Sequence, residues 1–269
     1  MNNFEDTVGF ITGGAAGIGL GVAKALGQRG MTVVLADVEQ NTLAQAANDL
    51  ESMGIRVETD VLNVADAAAY AEVAERVFSR HGKLNFLFNN AGVACPSPAT
   101  GTNFDDWRWV VDVNLMGVVY GVELFLQRML DSGEPGYIIN TASLAGHIAS
   151  PQLLSYTATK FAVVGYTEGL QAALAESPIG VSLLAPAWVK TGIAHSVRNH
   201  PSETMAAKGN EENPLSKLID EQGISVDEVA ERVLDCMASE TLHIFTHPEF
   251  WTFIDERVAR IRGDHAQIL

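Results

Sequence analysis

The fold of this chain is decided near its start by the stretch VGFITGGAAGIG, residues 8–19. The apolar run 8–12 predicts a buried strand, and apolar residues at three- and four-residue spacing from Gly17 onward predict a helix. Between them, Gly13 permits a tight turn, Gly17 lets backbone N–H groups approach an anion, and Gly19 allows close helix–strand packing. This order is typical of a site that holds a pyrophosphate at a helix start. The alternative is an ordinary flexible turn.

The rest of the chain repeats the alternation of short apolar runs and longer amphipathic stretches. The predicted strands are 8–12, 32–37, 56–60, 84–89, 137–142, 180–185 and 243–245. The predicted helices are 17–29, 41–53, 65–81, 104–130, 155–177 and 226–238. This pattern predicts an α/β fold, a parallel sheet with helices on both faces. No repeat or low-complexity linker interrupts it, so we expect one domain over residues 1–269.

The polar segment 188–223 is too long for an ordinary connection in a compact fold. It follows the predicted strand 180–185, at the edge of the sheet where α/β proteins bind ligands. We therefore expect a mobile lid or substrate loop, and we call this segment the lid. The alternative is a surface insertion without a role.

Composition restricts the classes of function. The chain has 17 Lys and Arg against 33 Asp and Glu, a formal charge of −16, whereas a nucleic-acid backbone requires clustered cations. The two cysteines, Cys95 and Cys236, match no metal motif and favour free thiols in a reducing, cytoplasmic compartment. Residues 1–10 have no signal-peptide pattern, and no apolar run approaches the roughly 18 residues that span a bilayer. We expect no nucleic acid, membrane or metal partner.

Asp37 ends the second predicted strand, eighteen residues beyond Gly19. An acid at this place can accept hydrogen bonds from both hydroxyls of an adenosine ribose and repels a 2'-phosphate. No Arg or Lys occupies the glycine turn or the residues just after Asp37, so a 2'-phosphate has no cationic partner there. NAD is therefore favoured over NADP. The alternative is an acid that caps the following helix.

Tyr156 and Lys160 are four residues apart in a predicted helix, which places them on one face. A nearby ammonium group favours the phenolate and would lower the tyrosine pKa, so the pair predicts acid/base chemistry. The alternative is a half-buried ring beside a solvated lysine.

Together these motifs resemble the short-chain dehydrogenase/reductase family, in its compact single-domain branch. The resemblance rests on Thr-Gly-x-x-x-Gly-x-Gly at 12–19, Asn-Asn-Ala-Gly at 89–92, and Asn114, Ser143, Tyr156, Lys160, Pro186 and Thr191 in the family's order. The thirteen-residue spacing from Ser143 to Tyr156 is also the family's. One departure is Ala187, where members usually have glycine. The resemblance implies a Rossmann-like, doubly wound sheet of seven parallel strands in the order 3-2-1-4-5-6-7.

The resemblance also implies roles for individual residues. Tyr156 accepts the substrate proton, Lys160 lowers the Tyr156 pKa and holds the nicotinamide ribose, and Ser143 donates to the substrate oxygen. Asn114 holds a water linked to Lys160; the alternative is a plain helix-surface asparagine. The residues expected to contact the cofactor are Thr12, Gly13, Gly17, Ile18, Gly19, Asp37, Asp60, Val61, Asn90, Ala91, Gly92, Tyr156, Lys160, Pro186, Val189 and Thr191.

The expected substrate-pocket walls have few charges. They are Val93, Leu144, Ala145, His147, Leu153, Trp188 and Ile193, with a solvent-facing loop as the alternative place for His147. Such walls favour a bulky, neutral, aromatic or hydrophobic alcohol or ketone over a carboxylate or phosphate. The lid and the tail from Pro248 resemble bacterial members that act on aryl carbinols.

The sequence thus predicts an NAD-dependent oxidoreductase that interconverts a secondary alcohol and its ketone. One alternative is a hydroxysteroid or aliphatic alcohol dehydrogenase of the same family. Another, of a different class, is an inactive dinucleotide-binding sensor or scaffold. The resemblance implies a homodimer or homotetramer formed through the helices 104–130 and 155–177.

Overall fold

The computed structural model describes residues 4–211 and 213–266; residue 212 of the predicted lid lies outside them. The strands are β1 Val8–Thr12, β2 Thr32–Asp37, β3 Val57–Val61, β4 Phe86–Asn89, β5 Gly136–Thr141, β6 Ile179–Ala185 and β7 His243–Phe245. They form one sheet in the order β3-β2-β1-β4-β5-β6-β7, and every neighbouring pair is parallel. The predicted fold class and strand order are confirmed.

The helices follow the predicted alternation. They are α1 Gly17–Gly27, α2 Gln40–Ser52, α3 Ala67–His81, α4 Phe104–Val111, α5 Gly117–Ser132, α6 Leu154–Ala173, α7 Glu203–Ala207, α8 Pro214–Gln222, α9 Val226–Ser239 and α10 Trp251–Ala266. The predicted single helix 104–130 is wrong in one respect, because a π-helical turn, Asp112–Met116, separates α4 from α5. The prediction also missed α10.

Adjacent residues of each central strand pack on opposite faces of the sheet because side chains alternate along a strand. On one face, Phe10 lies 4.9 Å from Phe125 of α5, measured between ring centroids. On the other face, Ile11 belongs to a buried cluster with Val22 of α1 and Val233 of α9. Helices cover both faces, as expected for a parallel sheet.

The segment Phe104–Ser132 is long enough to cross a membrane, and its most apolar 18-residue window, with a mean hydropathy of 1.5, is apolar enough by composition. The expectation that no apolar run reaches this length is therefore wrong. Half of its most apolar window is buried inside the fold, and Val118, Phe125 and Met129 are buried core residues. The apolar composition is explained by packing against the sheet.

The connections after β1 and β4 create a crevice at the carboxyl edge of the sheet. β1 lies between β2 and β4, so the chain leaves these two central strands in opposite directions. In open α/β sheets, ligands bind at such a switch point. The loops that carry the predicted site residues all begin at this edge.

The lid is folded into short helices. The helical turn Gly192–Asn199 is followed by α7, the turn Lys208–Asn210 and α8. Asn213 caps α8 by accepting a hydrogen bond from Leu215 N at 2.9 Å, ahead of Pro214 at the first helical position, which is a favoured start for a helix. The mobility of the lid stays a prediction.

Candidate active site

The glycine turn leaves the start of α1 open. Gly13 and Gly17 have φ angles of +63° and +57°, which favour glycine. A Cβ atom on Gly19 would lie 2.2 Å from the Gly13 carbonyl oxygen, so a side chain there is excluded. The residue before α1, Ala16, provides no side-chain cap. The first backbone N–H groups of the helix, which have no partner within it, can therefore hold an anion.

A cavity of about 520 Å³ runs from this turn along the carboxyl edge of the sheet. Twelve of the predicted cofactor residues line it: Gly13, Gly17, Ile18, Asp37, Asn90, Ala91, Gly92, Tyr156, Lys160, Pro186, Val189 and Thr191. A Cβ on Gly17 would lie 3.1 Å from Thr191 Cγ2, so the start of the lid lies close to the turn. We refer to the two ends of the cavity by Asp37 and by Tyr156.

Thr12 and Gly19 do not line the cavity. The buried Thr12 hydroxyl accepts hydrogen bonds from Asn90 N at 3.0 Å and Ala91 N at 3.1 Å. The Asn90 side chain donates in return to Thr12 O at 3.0 Å. Thr12 therefore connects the ends of β1 and β4, and its predicted place beside the cofactor is corrected. At Gly19, the space that a Cβ atom would need is occupied by the Gly13 backbone.

Asp37 is oriented by the backbone around it. Its Oδ2 accepts from Ala15 N at 3.1 Å, and its Oδ1 accepts from Glu39 N at 3.0 Å. Burial raises the pKa of Asp37, and these hydrogen bonds oppose the rise. The carboxylate lies at the cavity wall as the sequence predicted.

Asp60 and Val61 do not line the cavity, contrary to prediction. Asp60 is 7% exposed and its Oδ1 accepts from Arg76 Nε of α3 at 2.9 Å. Val61 is 54% exposed. β3 continues one residue beyond its predicted end, to Val61, so the turn that reaches the cavity begins later. That wall is formed by residues 62–65.

Ser143, Tyr156 and Lys160 meet at the other end of the cavity. Ser143 follows β5, where its Oγ accepts from Ala145 N at 3.1 Å and donates to Pro186 O at 3.3 Å. Burial raises the pKa of Tyr156, and a hydrogen bond with Ser143 opposes the rise. The predicted juxtaposition of hydroxyl, phenol and ammonium group is present.

The electrostatics of the Tyr156–Lys160 pair differ from the sequence prediction. Lys160 is 2% exposed, its Nζ donates to Thr141 O at 2.8 Å, and it lies 5.5 Å from the centroid of the Tyr156 ring. Burial lowers the pKa of Lys160 to about 7. The predicted lowering of the Tyr156 pKa is therefore wrong in direction, because burial of the phenol raises that pKa.

Asn114 lies in the π-helical turn and is fully buried. Its Oδ1 accepts from Val93 N at 2.8 Å, and its Nδ2 donates to Val93 O at 2.9 Å and to Thr159 Oγ1 at 3.3 Å. The side chain is therefore not a helix-surface asparagine. It does not line the cavity and connects the loop after Gly92 to α6.

Two of the seven predicted substrate walls, Val93 and Ile193, line the cavity. Leu144, Ala145, His147, Leu153 and Trp188 do not. His147 packs on Phe245 and His243 of β7, at 5.0 and 5.8 Å between ring centroids, and burial lowers its pKa to about 4. His147 is thus half-buried against the end strand of the sheet and does not line the cavity.

Sequence analysis did not predict several residues that line the cavity. These residues come from the region of α4, from the loop after β2 and from the lid. They include Val38, Glu39, Thr42, Arg108, Trp109, Asp112, Val113, Ser196, Arg198, Asn199 and Pro201. The lid is joined to the sheet by Ser196, whose Oγ accepts from Ala94 N at 2.8 Å and donates to Ala94 O at 3.2 Å. No local motif marks these residues, because their neighbours are distant in sequence.

Ala187, the departure from the family pattern, also lines the cavity. Its N–H donates to Thr246 Oγ1 after β7 at 3.1 Å, so this backbone group is already bound. Within residues 4–211 and 213–266, no group of three or more His, Cys, Asp or Glu side chains is placed to hold a metal ion.

A parallel sheet with an open helix start at its switch point, and a Ser-Tyr-Lys group on the same cavity, define a dinucleotide-dependent oxidoreductase. The sequence model of the short chain dehydrogenases matches residues 7–202. The chain belongs to the short-chain dehydrogenase/reductase family, whose members bind nicotinamide dinucleotides.

Relatives match over nearly the whole chain. A C alpha-dehydrogenase of Sphingobium sp. is 38% identical over 253 residues, 93% of this chain and 83% of that protein. A 1-deoxy-11-beta-hydroxypentalenate dehydrogenase of Streptomyces avermitilis is 31% identical over 260 residues, covering 95% and 90% of the two chains.

Solved structures have the same fold. A short-chain dehydrogenase/reductase of Burkholderia phymatum in complex with NAD has a TM-score of 0.91 at 33% identity, covering 98% of this chain and 97% of that one. The apo form of LigD from Sphingobium sp. has a TM-score of 0.82 at 32% identity, covering 97% and 98%.

Proposed function

We propose that this protein is an NAD-dependent dehydrogenase that interconverts a neutral, bulky, aromatic or hydrophobic secondary alcohol and its ketone. One observation carries the proposal: Ser143, Tyr156 and Lys160 line the same cavity as Asp37 and the open start of α1. A proton acceptor and a dinucleotide site therefore share one space, as oxidation of a CH–OH group requires.

The residues of the cavity fit a nicotinamide dinucleotide. The N–H groups at the start of α1 suit its pyrophosphate and Asp37 suits the adenosine ribose. Val189 and Thr191, which line the same cavity, would hold the carboxamide. When bound, the nicotinamide supplies the hydride acceptor or donor.

In the direction of oxidation, the deprotonated oxygen of Tyr156 would accept the hydroxyl proton of the alcohol. Because burial raises the Tyr156 pKa, the phenol must first release its own proton, and the neutral amine of Lys160 is the neighbouring acceptor. Ser143 positions the substrate oxygen, because its own Oγ is fixed by Ala145 N and Pro186 O. Lys160 Nζ lies 5.5 Å from the centroid of the phenol ring, and burial, which lowers the Lys160 pKa to about 7, favours the neutral amine that can take up the phenol proton. Asn114 fixes the loop after Gly92 beside these groups.

Asp37 supports NAD as the cofactor. Its carboxylate is held at the wall by two backbone N–H groups, so a 2'-phosphate would face a fixed negative charge. The likeness to a solved short-chain dehydrogenase/reductase in complex with NAD supports the same cofactor.

Steady-state assays test the proposal. The purified protein is incubated with NAD or NADP and a panel of aryl carbinols, hydroxysteroids and aliphatic secondary alcohols, and the absorbance of the reduced nicotinamide is followed. We expect the highest kcat/KM with NAD and an aryl carbinol. A higher kcat/KM with a hydroxysteroid or an aliphatic alcohol would instead support the alternative, a hydroxysteroid or aliphatic alcohol dehydrogenase. Dinucleotide binding without turnover of any alcohol would favour a sensor.

A further inference from the structure

We propose that Glu39 is a positioning residue that holds the lid across the Asp37 end of the cavity and thereby slows release of the bound dinucleotide. The inference rests on the proposed function for the identity of the ligand. It concerns three residues, Glu39, Arg198 and Asn199, whose contact we call the clasp.

The clasp joins two parts of the chain that are far apart in sequence. Glu39 Oε1 accepts a hydrogen bond from Arg198 Nη2 at 2.5 Å, across 159 residues, and one from Asn199 Nδ2 at 2.8 Å. Its Oε2 accepts from Thr42 Oγ1 of α2 at 3.3 Å. One carboxylate therefore receives two donors from the lid and one from its own side of the cavity.

The position of the clasp connects it to the ligand site. Glu39 follows Asp37 by two residues, and its N–H donates to Asp37 Oδ1 at 3.0 Å. Asp37, Glu39, Arg198 and Asn199 all line the same cavity. The contact between Glu39 and the lid thus bridges the cavity beside the carboxylate proposed to bind the adenosine ribose.

Hydrogen bonds inside the lid hold its parts together, so the contact at Arg198 and Asn199 can fix the position of the lid. His195 Nδ1 is hydrogen-bonded with Gly209 O at 2.9 Å, and Asn213 Nδ2 donates to Ala194 O at 2.6 Å. Ser196 fastens the same helical turn to Ala94. The lid is therefore attached to the rest of the fold by Ser196, by the contacts of His200 with Asp106 and Trp109 of α4, and by the clasp, which is the attachment at the Asp37 end.

The clasp is charged at neutral pH. Burial by itself would raise the pKa of Glu39, but hydrogen bonds from Asn199 and Arg198 outweigh it and hold the pKa below its ordinary value. The Arg198 and Glu39 side chains are 38% and 25% exposed. A lone exposed ion pair contributes little, but a carboxylate with three converging donors forms a network, and charge-assisted hydrogen bonds are stronger than neutral ones.

A kinetic consequence follows for dinucleotide exchange. Product release or lid opening limits the rate of many enzymes, and opening this lid would break the clasp. Loss of the clasp should therefore raise the dissociation rate of reduced dinucleotide about five-fold. The hydride-transfer step should change little, because Ser143, Tyr156 and Lys160 lie at the other end.

The test measures release directly. The full-length protein is loaded with NADH or NADPH, whichever binds more tightly, and displacement by excess oxidised dinucleotide is followed by stopped-flow nicotinamide fluorescence. A wrong cofactor assignment, or failure of alcohol oxidation, thus leaves the test intact. The variants are Glu39→Gln, Arg198→Met, the double variant, and the charge exchange Glu39→Arg with Arg198→Glu.

We expect faster release in both single variants, no further increase in the double variant, partial recovery in the charge exchange, and a reduced difference at high salt. The matched control is the ion pair of Arg29, two residues after the end of α1, with Glu231 of α9, at 3.0 Å; neither residue lines the cavity. Glu231→Gln and Arg29→Met should leave release unchanged. Unchanged release in Glu39→Gln and Arg198→Met, or an equal change in the control pair, would overturn the proposal.

Discussion

The two ends of the cavity stabilise their charged groups in different ways. At the Asp37 end, both carboxylates have donors: Asp37 accepts from two backbone N–H groups and Glu39 from Arg198 and Asn199. At the Tyr156 end, burial dominates, raising the pKa of Tyr156 and lowering that of Lys160 to about 7. Hydrogen-bond donors favour the ionised form of the carboxylates at the Asp37 end, whereas burial favours the neutral forms of both Tyr156 and Lys160 at the other end.

Replacing Tyr156 tests the reactive end and has the largest expected effect. Tyr156→Phe removes the proton acceptor but keeps the ring, so kcat/KM should fall about 1,000-fold while the dissociation constant of the dinucleotide changes less than about two-fold. Steady-state kinetics and fluorescence titration measure the two quantities. Tyr166→Phe is the matched control, since Tyr166 lies on the same helix α6, is half-buried and does not line the cavity. An active Tyr156→Phe enzyme would refute the assignment.

Replacing Asp37 tests the Asp37 end of the cavity, where the carboxylates have hydrogen-bond donors. Asp37→Asn removes the charge that faces a 2'-phosphate and the acceptor for ribose hydroxyls. The ratio of kcat/KM for NADP to that for NAD should rise about 50-fold. Asp49→Asn, on the exposed side of α2, is the control and should leave the ratio unchanged. A native enzyme that already prefers NADP would contradict the cofactor proposal.

The difference between the ends also separates what the sequence can predict from what it cannot. The strands β1 and β2 and the helix start at Gly17 were predicted to the residue, because apolar runs and required glycines are local signals. The π-helical turn at Asn114 was missed, and the partner of that side chain, Val93, is 21 residues away in the chain, so no local pattern marks it. The place of His147 depends on β7, and the partners of Glu39 lie in the lid, so no spacing rule marks either.

Replacing Lys160 tests whether burial of its amine at the Tyr156 end of the cavity lowers the free energy of unfolding. Its ordinary pKa is 10.5 and burial lowers it to about 7 in the folded protein. The unfolded chain therefore binds more protons between these values, so stability rises with pH there, and below pH 7 the folded state carries the full penalty of a buried charge. Lys160→Met should abolish activity yet raise the free energy of unfolding by about 2 kcal/mol below neutral pH.

That gain should shrink as the pH approaches 10, because wild-type Lys160 is then neutral in the folded protein. Urea titrations at about pH 6 and pH 10 measure it. Lys190→Met, at an exposed position of the lid, is the control and should give no pH-dependent difference. A gain of equal size at both pH values would mean that lost packing or hydrogen bonding, and not the buried charge, determines the effect.

The smallest expected effect concerns His147, which follows Ser143 by four residues but packs on β7. Its pKa is lowered from 6.5 to about 4, so the unfolded chain binds a proton between these values while the folded protein does not, and stability is lost as the pH falls through that range. Because the ring is partly exposed, the loss should be below about 1 kcal/mol. His147→Leu should flatten the acid limb of the stability–pH curve, whereas the exposed His265→Leu should not. If His147→Leu instead lowered kcat/KM at pH 8, we would infer that the ring supports the loop that carries Ser143. The residues that affect catalysis at the Tyr156 end would then include those packed on β7.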